Sequence, residues 1–139
     1  MMVESREAGS GNALILVVER DPHVRTLEKY FLEEAGFVVE FCDDGAQGLE
    51  RARALQPDIL ITEILVPRLD GLSVCRALKA DPETRSIVVV ILSILAAGDR
   101  ARTAGADGFL RKPLDDSLLI KSVEELLAQR KKGAADGAH

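Results

Sequence analysis

Cysteine is scarce in this 139-residue chain, and its two copies, Cys42 and Cys75, show no C-x-x-C or metal-ligand spacing. A dithiol redox pair and a zinc site are therefore excluded. Cys42 closes an apolar run and Cys75 sits in a helical pattern, so both read as buried free thiols. That suits a reducing cytosol, and a cytoplasmic location is expected. Histidine is equally sparse: His23 lies in the first turn of a helix and the other, His139, is terminal, so neither is a good metal candidate. No apolar run approaches the roughly 18 residues of a membrane span. The longest, Ile87 to Leu92, is a core strand. An excess of positive charge is missing too. The net charge is -5, which argues against a general nucleic-acid-binding surface. The basic cluster Arg130-Lys131-Lys132 is short and reads as a solvated helix end. A Gly-rich phosphate loop, a Ser-His-Asp set and a Cys nucleophile motif are all absent, so no enzymatic activity is expected.

What is present is an ordinary globular composition, 47% apolar and 29% charged. The length fits one domain with a real core. Residues 1–12 read as a disordered polar lead, 13–132 as the domain and 133–139 as a disordered tail. Short apolar runs alternate with helical patterns. Ala13 to Val18 is strand one. Asp21-Pro22 starts a helix, with Asp at the N-cap and Pro in the first turn; Val24, Leu27, Phe31 and Leu32 recur at helical spacing until Gly36. Phe37 to Cys42 is strand two. Asp43 or Asp44 caps a second helix carrying Ala46, Leu49, Ala52 and Leu55, which Pro57 ends. Ile59 to Ile61 belong to strand three, with Glu63 near its end. Gly71 to Ala80 is a third helix, with Leu72, Cys75 and Leu78 inward. Ile87 to Leu92 is strand four, Ala97 to Ala104 a short helix and Asp107 to Arg111 strand five. Asp115 to Arg130 is the last helix, its start compensated by Asp115-Asp116, with Leu118, Leu119, Val123, Leu126 and Leu127 on one face. This alternation predicts a doubly wound, five-stranded parallel α/β sheet with helices on both faces. The implied strand order is 2-1-3-4-5, as in flavodoxin-like folds, with a site at the switch between strands one and three.

Chemistry-bearing residues gather at the strand ends. Strand one ends Val17-Val18-Glu19-Arg20-Asp21-Pro22, strand three at Glu63, strand four at Ser93, and strand five at Arg111-Lys112-Pro113. After Glu63 come Pro67, at an offset of four, and then Asp70-Gly71. In this order and spacing the motifs resemble the receiver domain of two-component response regulators, from about Ala13 to Arg130. The resemblance implies a flavodoxin-like receiver fold and a signalling role. In such domains two acids after strand one hold Mg²⁺, and an aspartate ending strand three takes the phosphoryl group. A Ser or Thr after strand four and a Lys before Pro after strand five contact the phosphate. Such transfer needs in-line placement and cations for the developing charge.

Carried over residue by residue, Glu19 falls on the first acidic position and Arg20 on the second, the metal ligand. Asp21 matches the acid that follows, Glu63 falls on the phosphoacceptor, and Ser93 and Lys112 match the phosphate contacts. Phe109 falls on the switch aromatic, and a plain core role is favoured for it. Arg20 puts a fixed cation where Mg²⁺ would sit, so metal binding is expected to be lost. Glu63 moves its carboxylate about one C–C bond outward, and about 1 Å of misplacement can cost about a hundredfold in rate. The expectation is therefore an atypical, phosphorylation-independent receiver in which Arg20 and Lys112 both pair with Glu63. A solvated surface cation is the plainer alternative for Arg20. Ile94 is expected to crowd the pocket, and the stretch from Ser93 to Gly105 is about one helical turn shorter than usual in the family. Function would run through a protein partner, a histidine kinase or a downstream signalling protein, with a homodimer through the last two helices as an option. The second reading is a phosphorylatable regulator with degenerate chemistry.

Overall fold

The computed structural model describes residues 12–113 and 115–137. Five strands alternate with five helices: β1 (Leu14–Val18), α1 (Pro22–Glu34), β2 (Val38–Cys42), α2 (Gly45–Leu55), β3 (Ile59–Glu63), α3 (Gly71–Ala80), β4 (Val88–Ser93), α4 (Gly98–Thr103), β5 (Gly108–Arg111) and α5 (Asp116–Gly137). All strand pairs are parallel, and the order is β2-β1-β3-β4-β5, as the alternation of patterns predicts. The three inner strands are buried along almost their whole length, because helices cover both faces of the sheet.

Successive side chains along a strand point to opposite faces, and this sorts the apolar residues into two cores. Leu16, Val18, Leu60, Val89 and Ile91 face α2, α3 and α4, meeting Ala52, Leu72, Val74, Cys75, Leu78 and Ala101. Ile15, Val17, Ile59, Ile61, Val88 and Val90 face α1 and α5, meeting Leu32, Leu119 and Val123. Both cysteines are free and buried, and burial pushes each thiol up to about 11. Phe109 packs, half-buried, against the α4-side core.

Three aspartates set the helix starts. Asp21 accepts from His23 and Val24 N–H, Asp44 from Gln47 N–H and Asp70 from Ser73 N–H. The Ser73 N–H bond holds the Asp70 carboxyl below its usual range. At the amino end of the sheet, Asp58 ties three elements together. Its Oδ2 accepts from Leu14 N–H at 2.8 Å and its Oδ1 from Arg130 at 2.9 Å, which anchors α5.

Three local expectations need correction. Leu27 is 58% exposed and Leu118 46%, so neither belongs to the inward stripe of its helix. On α1 the buried arc instead runs through Val24, Phe31, Leu32 and Ala35, and Leu27 lies off its edge. The last helix does not stop at Arg130. It continues to Gly137, through Lys131, Lys132, Ala134 and Ala135, residue types that favour helix. Of the expected disordered ends, residues 1–11 and 138–139 lie outside the described residues. The fourth helix is short as expected, six residues, with no side chain capping its start.

Candidate functional site

The carboxyl ends of β1 and β3 open onto a cavity of about 490 Å³ lined by Glu19, Arg20, Asp21, His23, Asp43 and Glu63, with Leu65, Val66 and Pro67 forming an apolar wall. This is the switch point of the sheet, where the chain leaves β1 toward one edge and β3 toward the other. The loop after β3 is drawn tightly around it. Gly71 starts α3 so close to the strand end that a Cβ there would lie 2.1 Å from the Glu63 carbonyl oxygen. Gly71 N–H also donates to Ile64 O at 2.9 Å. Gly45 does the same for α2, where a Cβ would lie 1.7 Å from Leu69 O. The Asp70-Gly71 pair is thus a packing device: Asp70 caps α3 and Gly71 lets it abut the strand that carries Glu63.

Glu63 is half-buried and its carboxylate is ion-paired with the Lys112 ammonium. The Lys112 backbone is fixed as well, because its N–H donates to Ser93 O at 2.8 Å. Lys112 therefore bridges from the end of β5, across β4, to the end of β3. Ser93 is buried at 4% exposure, and its hydroxyl oxygen accepts from Leu95 N–H at 2.9 Å. It stands beside the Glu63–Lys112 pair but outside the residues that line the cavity.

The acids after β1 are used locally. Glu19 Oε2 accepts from Asp21 N–H at 3.0 Å, and Asp21 caps α1. Arg20 lines the cavity but is exposed, and among the described residues it makes no ion pair or hydrogen bond. The expected Arg20–Glu63 contact is therefore corrected: the cluster is Glu63–Lys112 alone. A long cation gains little by desolvating against a carboxylate that a lysine already neutralises. Ile94 is also corrected. It is 66% exposed and is not among the residues that line the cavity, so it does not crowd it.

Two participants escaped the sequence reading. Arg25 of α1 donates from Nε to the Glu19 carbonyl, pairs with Asp43 at 2.5 Å and lies over the Phe41 ring. It stitches the ends of β1 and β2 to α1. Glu28 lies on the inward arc of α1, and its Oε1 is buried without a hydrogen-bond partner. A charged residue between Val24 and Leu32, at helical spacing, was the available signal for it.

The response regulator receiver domain family model matches residues 15–124. The chain belongs to this family. It is a receiver domain of the two-component signalling type, and receiver domains are in general signalling modules rather than enzymes. It is 40% identical over 119 residues to the response regulator PleD of Caulobacter vibrioides, covering 83% of this chain and 26% of PleD. A receiver domain of a signal transduction histidine kinase from Syntrophus aciditrophicus superposes with a TM-score of 0.78 at 35% identity, covering 84% of this chain and 91% of that one. The receiver domain of the sensor histidine kinase PA1611 from Pseudomonas aeruginosa gives a TM-score of 0.76 at 27% identity, covering 84% and 98%, and holds a coordinated magnesium ion in its active-site cleft. The chain spans about a quarter to a half of the length of the curated relatives it matches.

Receiver domains normally bind Mg²⁺, so the donor set can be tested against that ion. Magnesium needs near-octahedral oxygen ligands, usually including one or two carboxylates. Here Glu19 is turned to a backbone amide, Asp21 to a helix start and Glu63 to a lysine, while Arg20 brings a cation to the cavity. Among the described residues no three His, Cys, Asp or Glu side chains converge in a metal-holding group. The three carboxylates therefore carry protein partners in this arrangement. No helix of the described residues is long and apolar enough to cross a membrane.

Proposed function

We propose that this receiver domain signals without accepting phosphate and acts by binding another protein in a two-component-type pathway. The observation that carries the reading is the Glu63–Lys112 ion pair, with Arg20 at the neighbouring strand end. In a phosphoacceptor the carboxylate oxygen attacks phosphorus while a metal and a lysine neutralise the developing charge. In this chain the lysine is already engaged by the acceptor-position carboxylate itself. Arg20 replaces a metal ligand by a cation that stays protonated at any working pH. The extra methylene of Glu63 moves the nucleophile away from in-line placement. Ser93, with its hydroxyl bonded to the backbone, and Lys112 then act as structural remnants of phosphate contacts. Phe109 serves as core, and no Mg²⁺ is required.

The partner is a histidine kinase or a downstream signalling protein, in the cytoplasm, with no nucleic acid or membrane contact by this domain. Exposed Leu118 on α5 would contribute to a homodimer through the last two helices. A second reading, a phosphorylatable regulator with degenerate chemistry, is favoured by one observation: a carboxylate, a serine and a lysine still meet at the right strand ends. Incubation with Mg²⁺ and acetyl phosphate, followed by intact-mass measurement, separates the two. The expected result is an unmodified chain, and a stoichiometric phosphate adduct would overturn the proposal.

A further inference from the structure

Large apolar side chains stand exposed where β3 and β4 leave the sheet. Leu65, on the loop after β3, is 69% exposed, and Ile94 and Leu95, on the loop after β4, are exposed too. Glu63 is in register with Leu92 on the neighbouring strand, about 4.8 Å away, and Leu65 and Ile94 each follow two residues later. The two loops thus start side by side. Single exposed leucines need no explanation, but a cluster at neighbouring strand ends marks an interaction surface. The loop that carries two of the three is firmly held. Leu95 N–H donates to Ser93 Oγ at 2.9 Å, Ala97 N–H to Leu95 O at 2.9 Å and Arg111 Nε to Ile94 O at 3.4 Å. Leu65 also belongs, with Val66 and Pro67, to the apolar wall of the cavity.

The charges left without a partner beside this cluster are positive. Lys112 neutralises Glu63, and Arg25 neutralises Asp43. Glu19 and Asp21 keep their charge but turn it to backbone N–H groups at the end of β1. Arg20, which lines the cavity with Leu65, and Arg111, in register with Ser93, are exposed and make no ion pair among the described residues. We propose that Leu65, Ile94 and Leu95 form a docking surface for a partner-protein segment that presents an apolar side chain flanked by carboxylates. The apolar side chain covers the three residues beside the cavity wall, and the carboxylates meet Arg20 and Arg111. The planar guanidinium fork matches a carboxylate better than a point charge does. The loop after β4 is already fixed, so docking costs little ordering of this chain. The inference rests on the reading that this domain acts by protein contact, and not on whether Glu63 takes phosphate.

The test is selection of displayed random-sequence peptides on the full chain, without Mg²⁺ or a phosphodonor. Enriched peptides are expected to carry an apolar side chain next to Asp or Glu. The strongest of them, titrated into ¹⁵N-labelled protein, should shift the Leu65, Ile94 and Leu95 amides most. Ile94→Ser and Arg20→Glu should each weaken its binding about tenfold, and added salt should weaken it in the wild-type. Leu27→Ser, at a comparably exposed apolar site on α1, should change it by less than about twofold. No enrichment, enrichment of Lys and Arg, or binding indifferent to Ile94→Ser would overturn the proposal. Shifts confined to another face would also overturn it, while leaving protein contact as the mode of action. A phosphate adduct in the acetyl phosphate experiment would overturn phosphate independence and leave this surface standing. The wild-type shift map decides the matter even if a variant folds poorly.

Discussion

Replacing Glu28 by leucine should stabilise the protein, and do so most at alkaline pH. The reasoning follows from linkage. In the unfolded chain the carboxyl has its ordinary value of 4.5, and in the folded protein it lies at about 7. The folded state therefore holds the proton more tightly, and between these values it carries more bound protons than the unfolded state. Stability must then fall as pH rises through that interval, and the full cost is reached above about 7. Each pH unit is worth about 1.4 kcal/mol, so going from pH 5.5 to pH 8 should cost the wild-type up to about 2 kcal/mol. Asp70 works with the opposite sign. Its folded value is depressed, so its stabilising effect is present above its unfolded value and lost in acid, below this window. Urea unfolding at the two pH values reads the difference directly. With a slope of about 2 kcal/mol per molar urea, the wild-type midpoint should drop by about 1 M on going to pH 8. Glu28→Leu, filling the apolar arc between Val24 and Leu32, should lose most of this dependence. Parallel pH dependences in the two proteins would refute the argument, because the titrating group would then lie elsewhere.

Gly71→Ala puts a methyl group 2.1 Å from the Glu63 carbonyl oxygen, so backbone must move; a loss of about 3 kcal/mol is expected in thermal unfolding, and an unchanged midpoint would contradict the packing role. Arg130→Ala removes the bonds from Arg130 to Asp58 O at 3.1 Å and Oδ1 at 2.9 Å. Both side chains are partly exposed, so the expected cost is about 1–2 kcal/mol by urea unfolding; it should shrink in the Asp58→Ala background, which keeps only the bond to Asp58 O, and an unchanged loss there would refute the side-chain pairing. Cys42 and Cys75 are buried, with thiols pushed up to about 11, and should resist an aromatic disulfide reagent at pH 8 until urea is added. Reaction of the native protein within minutes would show that the core opens readily.

Much of the architecture was legible because each local signal agreed with its neighbours. Ile59 to Ile61 are bounded by Pro57 before and Pro67 after, and they form the strand that the pattern predicts. Asp21-Pro22 opens α1 with the cap and first residue where the sequence places them. The failures have two causes. Leu27 and Leu118 were placed on the apolar stripe by helical spacing, whereas the buried arc is chosen by which side of the helix meets the sheet. On α1 that side includes Glu28 along with Val24, Phe31 and Leu32, and leaves out Leu27. The end of α5 was missed because no glycine or proline directly follows Arg130, while the lysines and alanines beyond it favour helix.

The site was legible in position but not in pairing, and the reason is geometric. Spacing assigned Glu19, Arg20, Glu63, Ser93 and Lys112 to strand ends that do come together. It paired Glu63 with both cations, and the structure keeps only Lys112. The backbone chooses. Lys112 leaves β5 with its N–H bound to Ser93 O, which starts its side chain beside β4 and within reach of β3. Arg20 leaves β1 where Asp21 is already capping α1 and Glu19 is turned to the Asp21 amide, so nothing directs its stem inward. Once Lys112 has neutralised Glu63, a second cation would give up hydration for a small Coulomb return. Arg20 accordingly stays in water at the mouth of the crevice. Glu28 has no such partner for its buried Oε1, and burial is the first cause that pushes its carboxyl up to about 7. Of the crevice carboxylates, Glu63 is thus held by Lys112 and Asp43 by Arg25, while Glu19 and Asp21 accept from backbone N–H groups.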